Sequence, residues 1–219
     1  MSSWFELLTD NFDALASGFW VTLRLVGASF AVAVVVGTLV AALRIAPSVW
    51  LQRLGGVYVE TFRNVPLFIL LIIAYSGLRR AGVPIGPWTA GIASLGLYTA
   101  AYVAEVLRSG VFAVSRGQIE ASLSLGFGYP QTLRRIVLPQ AVRTVISPLG
   151  SLTIAMIKNS AIVGAALAIN DLVKEARIIG SRTFETDAAF FWAAVGYLLL
   201  TVAATVAFRQ LERRYAISR

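Results

Sequence analysis

Five stretches of this chain are long and apolar enough to cross a lipid bilayer, and that property limits the fold more than any other. A helix rising 1.5 Å per residue needs about 20 apolar residues to span the hydrocarbon. Within it, only helices and closed barrels satisfy their own backbone groups. The predicted spans run from about Gly18 to Leu43, Val57 to Leu78, Trp88 to Leu107, Pro139 to Leu167 and Ala188 to Phe208. Only 15 residues separate Arg63 from Arg79. They make about 22 Å of helix, so the second span must begin before Arg63. That arginine is expected to snorkel, with Glu60 three residues earlier on the same face and within pairing reach. Ahead of the first span lie Glu6, Asp10 and Asp13 and no basic residue. The apolar run also exceeds the roughly 7–15 residues of a secretory signal, so the span is expected to be retained.

Composition agrees. Hydrophobic residues make up 58% and charged residues 14%, with a mean hydropathy of +0.76, against about a quarter charged in a soluble domain. The net charge of +8 is assigned to loops on the cytoplasmic side, not to a nucleic-acid partner. With the N-terminus outside, the inner segments carry 12 basic residues, among them Arg134, Arg135, Arg209, Arg213, Arg214 and Arg219, against 5 outside. The positive-inside rule therefore gives N-terminus out and C-terminus in. Cys and His are absent. That excludes disulfides, Cys or His nucleophiles and ordinary zinc or haem sites, and the scattered carboxylates predict neither metal nor cofactor. Residues 1–219 read as one all-α membrane domain without an internal repeat.

The longest segment without a spanning pattern, 108–138, faces the cytoplasm. Gln118–Leu125 predicts two helical turns with Ile119 and Leu123 on one face and Ser122 beside them. Gly126 and Gly128 permit a sharp turn, and Pro130 suits the start of a second short helix, Gln131–Val137. By periodicity alone this is either an amphipathic connector on the membrane surface or a docking site for a cytosolic partner.

The residues themselves add more. Glu120-Ala121-Ser122, three residues, Gly126, nine residues and Ile136-x-Leu138-Pro139 resemble the EAA motif of ABC importer permeases. Ser122 stands where that motif prefers Ala. Tyr58-Val59-Glu60, Arg63-Asn64-Val65-Pro66-Leu67, Ala101 to Glu105, Arg108-Ser109-Gly110, Gly117-Gln118, Pro139-Gln140-Ala141 and Lys158-Asn159-Ser160 resemble segments of the polar amino acid permeases, glutamate-type ones most. The resemblance implies a type I ABC importer (MetI-like) permease fold in a bacterial cytoplasmic membrane. It implies a second permease subunit, an extracytoplasmic amino acid-binding protein and a cytosolic ATPase dimer docking on the loop. Glu120 would anchor, Ala121 would allow close approach and Gly126 would set the angle between the short helices. No Gly-x-x-x-x-Gly-Lys-Ser/Thr loop occurs, so ATP would bind and be hydrolysed in a partner. An ATP-independent carrier and a membrane scaffold are the competing classes.

Charges inside spans are functional candidates. Glu105 can accept from a substrate ammonium, or it can be an interfacial acid paired with Arg108. Lys158 and Asn159 can donate to substrate carboxylates, or Lys158 can snorkel outward. Glu105 lies about 26 Å from Trp88 and Lys158 about 26 Å from Ala141, toward opposite faces, so no direct bridge is expected. Pro148 and Gly150 can kink the fourth span. Asn170 and Asp171 can cap a short helix ending near Ile179, with a solvated outer face. Trp4, Trp20, Trp88 and Trp192 read as interfacial belt residues.

Overall fold

The computed structural model describes residues 2–215, so Arg219 lies outside the described residues. In chain order the helices are α1 (Ser2–Asp10), α2 (Phe12–Ile45), α3 (Val49–Asn64), α4 (Leu67–Ile72), α5 (Leu78–Arg80), α6 (Pro87–Phe112), α7 (Arg116–Ser124), α8 (Tyr129–Thr132), α9 (Leu138–Ala166), α10 (Leu172–Thr183) and α11 (Thr186–Tyr215). π-helical turns join α4 to α5 (Ile73–Gly77) and α8 to α9 (Leu133–Val137). There is no strand among the described residues.

Glycines set the closest approaches and so give helix directions. A Cβ on Gly96 would sit 2.8 Å from Val32 Cβ, and one on Gly37 would sit 2.7 Å from Val103 Cβ. Residue numbers rise together along this seam, so α2 and α6 run parallel. A Cβ on Gly91 would meet Val163, and one on Gly110 would meet Val145 and Ala141, so α9 runs antiparallel to α6. Gly150 lies against Phe208 and Tyr197 against Asp171, so α11 is antiparallel to α9. Parallel α2 and α6 require the chain between them to cross the bundle. Residues 49–80 are therefore a broken span and not a re-entrant loop. Five crossings put the two ends of the described chain, at α1 and at the close of α11, on opposite faces.

That second span corrects the sequence reading. It begins at Val49 rather than Val57 and bends by 102° between Asn64 and Leu67. Pro66 has no N–H to continue the ladder, and its ring forces Val65 into extended backbone (φ −98°, ψ 128°). Nor is the second short helix of the loop separate. It starts at Tyr129 and continues into α9 as one 38-residue helix, Tyr129–Ala166. In a regular α-helix the Pro139 ring would meet the Arg135 carbonyl. The wider π turn over Leu133–Val137 accommodates it.

Leu25, Leu71, Leu95, Met156 and Val163 fill the centre of the bundle. Val35, Leu39, Leu198 and Leu199 are exposed on α2 and α11, as lipid-facing surfaces require. At the face where α2 begins, Trp192 Nε1 donates to the Trp4 carbonyl at 2.8 Å. Beside it the Trp4 and Phe191 rings lie 5.1 Å apart, an aromatic cluster of the kind that marks membrane interfaces.

Asp171 caps α10 as expected, accepting from the Lys174 N–H at 3.0 Å, and the helix runs on to Thr183. It is not a solvated surface charge, because it is fully buried. Tyr197 donates its hydroxyl to Asp171 at 3.1 Å. Next door, the Leu172 N–H donates to Thr22 Oγ1 at 3.2 Å. A Cβ on Gly164 would overlap the carboxylate. One buried acid and its neighbours thus tie α2, α9, α10 and α11 together at this end.

Candidate functional site: the α6–α9 elbow and the charges within the spans

Helix α7 ends because Gly126 adopts φ +84°, a conformation cheap only for glycine. The Phe127 N–H reaches back to the Ser122 carbonyl at 3.1 Å and the Gly126 N–H to the Leu123 carbonyl at 2.9 Å. This paired pattern is the Schellman stop. The chain then re-enters a helix at Gly128, whose N–H donates to Gln131 Oε1 at 3.1 Å.

The two arms of this elbow are pinned by buried hydroxyls. Ser122 Oγ donates to the Ile119 carbonyl at 2.8 Å and lies 2.8 Å from Thr132 Oγ1. The Ser122 proton is committed to Ile119, so the Thr132 hydroxyl is the donor between them. The buried side of α7 is therefore Ile119 and Ser122. Leu123, expected there, is 47% exposed. Glu120, Ala121 and Gly126 are exposed on the outer side of the elbow, with Leu125 beside them. Ile136 is half-buried and Leu138 and Pro139 are exposed on the arm that leads into α9. An apolar cavity of about 480 Å³ lies behind the elbow, lined by Ala41, Ile45, Leu107, Leu133, Leu138 and Val145 among others.

Within the bundle, Glu105 accepts from Arg108 and from Arg44 Nη1. The Arg108 partnership matches one of the two sequence alternatives. Arg44 was missed because it lies 61 residues away in sequence, and only the parallel packing of α2 on α6 brings it near. Lys158 is exposed and forms no ion pair among the described residues, and Asn159 is half-buried. The structure does not bring Glu105 and Lys158 together, as their depths predict. The expected Glu60–Arg63 pair does not form either. Glu60 accepts from Asn64 Nδ2 at 3.0 Å, while the Arg63 guanidinium lies 5.4 Å from the centre of the Tyr102 ring.

A five-crossing apolar bundle with charges inside its spans, and a rigid polar elbow at one end, defines a multi-pass membrane transport subunit. The chain belongs to the family of binding-protein-dependent transport system inner membrane components, whose family model matches residues 33–217. It is 38% identical over 209 residues to the probable glutamine ABC transporter permease protein GlnM of Bacillus subtilis (strain 168), covering 95% of this chain and 96% of that one. It is 35% identical to the glutamate transport system permease protein GluC of Corynebacterium glutamicum, covering 97% of this chain and 99% of that one. Among solved structures, the crystal structure of an amino acid ABC transporter with histidines matches with a TM-score of 0.89 and 31% identity, covering 94% of this chain and 96% of that one. The MetNI methionine ABC transporter shares the fold, with a TM-score of 0.75 and 23% identity over 94% of this chain and 98% of that one. The architecture is that of the MetI-like type I importer permeases.

Proposed function

We propose that this chain is the membrane-spanning permease subunit of an ATP-driven importer for polar amino acids of the glutamate and glutamine type. It is not itself an ATPase. It works with a second permease copy or homologue, a cytosolic ATPase dimer and an extracytoplasmic binding protein. The excess of basic residues in the loops on the elbow side supports a cytoplasmic elbow face, with the N-terminus outside and the C-terminus inside. The observation that carries this reading is the elbow itself. Glu120, Ala121 and Gly126 are exposed on a short helix that is pinned to an arm continuous with α9. Closure of the ATPase pair displaces α7, and the rigid elbow converts that displacement into a tilt of α9 between inward-open and outward-open states. Ser122, Ile136, Leu138 and Pro139 shape this lever. Lys158 and Asn159 line the substrate path, while the two arginines on Glu105 favour its paired role over an ammonium-acceptor role.

The chain has no native Cys, so a single Leu123→Cys substitution gives a unique photo-crosslinking handle in native membranes. An ATPase subunit as the dominant adduct supports the coupling role. Lipid alone, with the protein folded, sinks it and restores the surface-connector reading.

A further inference from the structure

The break in the second span carries two charges that no ion pair among the described residues uses. α6 runs from Pro87 to Phe112, so its midpoint falls between Thr99 and Ala100. The Tyr58 hydroxyl donates to the Leu97 carbonyl at 2.8 Å, and Arg63 sits 5.4 Å from the centre of the Tyr102 ring. Measured along the α6 axis, each contact lies about 4 Å from the midpoint, one on either side. The Arg63 guanidinium therefore lies near the mid-depth of α6. Glu60, one turn before it and next to Val59, which packs on Val40, Ala41, Ala101 and Ala104, lies within the bundle on the elbow side of that depth. Ionisable groups within the spans are retained where they face a cavity, a partner charge or a ligand.

Neither has an ionic partner among the described residues, where Glu105 takes both ion pairs. Both are exposed on the single chain. The Tyr102 ring holds the Arg63 guanidinium to one side, and Asn64 occupies one oxygen of Glu60, so the two do not neutralise each other. The 102° break follows at once, and irregular backbone at membrane depth is tolerated only where it lines a cavity or is buried in protein. Tyr98 and Tyr102, with hydroxyl oxygens 3.1 Å apart, extend the polar patch along α6.

We propose that Glu60 and Arg63 form a recognition site within the spans for the charged α-groups of the amino acid in transit. This deepens the importer reading and rests on it. Arg63 takes the α-carboxylate, for which its planar fork is suited. Glu60 takes the α-ammonium through its free oxygen. At i,i+3 their Cβ atoms stand about 5–6 Å apart on one helix face, a separation a small zwitterion bridges. Tyr102 positions the guanidinium.

The test uses the assembled permease–ATPase complex without its binding protein, with L-glutamine, its α-amide and its N-acetyl derivative as probes. Labelled L-glutamine is the reporter for binding, and ATP-dependent uptake of it is followed in parallel on the same complex with the binding protein restored. Arg63→Gln is expected to weaken L-glutamine binding about tenfold or more while leaving the α-amide unchanged. Glu60→Gln is expected to do the same against the N-acetyl derivative. Arg63→Lys, which keeps the charge, is expected to retain part of the discrimination. If both Gln variants fold and discriminate the three probes as the wild type does, the proposal is overturned. If they lose subunit association with discrimination intact, the patch is an interface between permease copies and the proposal is equally overturned. A wild-type complex that, with the binding protein restored, takes up neither L-glutamine, L-glutamate nor L-arginine with ATP would sink the importer reading itself. The first two failures leave that reading standing.

Discussion

At the scale of the residue, Asp171 is a buried carboxylate with no ion pair among the described residues. Burial pushes its pKa above the usual range for an aspartate, against the hydrogen bonds from the Lys174 and Val173 N–H groups and from Tyr197. A raised native pKa means that the folded protein holds this proton more tightly than the unfolded chain does. The stability it contributes is present at low pH and is lost as pH rises through the raised value. Asn keeps the acceptor oxygen for the α10 cap and cannot ionise. Asp171→Asn is therefore expected to be at least as stable as the wild type at about pH 8. That advantage should shrink as the pH falls toward about 4 and Asp171 takes up its proton. Thermal unfolding of the complex in detergent across that range checks this. A gap that does not change with pH would show that Asp171 stays ionised at no cost in this setting.

At the scale of the element, the elbow depends on a single backbone conformation. Gly126→Pro imposes φ near −65° where +84° is required and removes the N–H bonded to Leu123. It is expected to abolish uptake while leaving membrane insertion intact, because no span includes residue 126. Normal uptake by a well-inserted variant would remove the lever from the mechanism. The hydroxyl pair makes a smaller, separable contribution. Ser122→Ala and Thr132→Val are each expected to destabilise by about 1 kcal/mol and to couple in a double-mutant cycle. Each should also raise the ATP consumed per molecule imported. Additive effects on both readouts would show the two arms to be independent. Most of this element was legible in the sequence, since Gly126, Pro130 and the motif spacing locate the turn. The Ser122–Thr132 contact was not, because it joins two helices whose angle no local pattern specifies. The second span misled for a different reason. Averaging hydropathy over Val57–Leu78 passes through Pro66 without registering that a proline there reorients the helix. The same average places Arg63 at an interface, when α3 carries it to the bundle's mid-depth. The π turn before Pro139 has no sequence signature comparable to a cap.

At the scale of the whole molecule, the bundle is fastened differently at its two ends. At the end where α2 begins, the buried groups around Asp171 and Thr22 tie α2, α9, α10 and α11. At the other end, α2 and α6 are tied by Arg44 on Glu105, whose second oxygen takes Arg108 of α6 itself, next to the elbow that joins α6 to α9. A tilt of α9 delivered by the elbow must therefore pivot about the Asp171 end, and the α2–α6 clamp decides whether those two helices move as one. Glu105→Gln separates this reading from a substrate-contact role. It leaves two arginines without a counter-charge on adjoining helices. Because the Glu105 side chain is 25% exposed, the expected loss is about 1–2 kcal/mol, below the 3–5 seen when a fully buried pair is broken. As a clamp, the variant should melt earlier and hydrolyse ATP without proportionate uptake, while the apparent affinity for substrate stays unchanged. As a substrate contact, it should melt normally and bind the amino acid more weakly. Melting temperature, ATP consumed per molecule imported and substrate affinity, measured on one preparation, assign Glu105 to one role or the other.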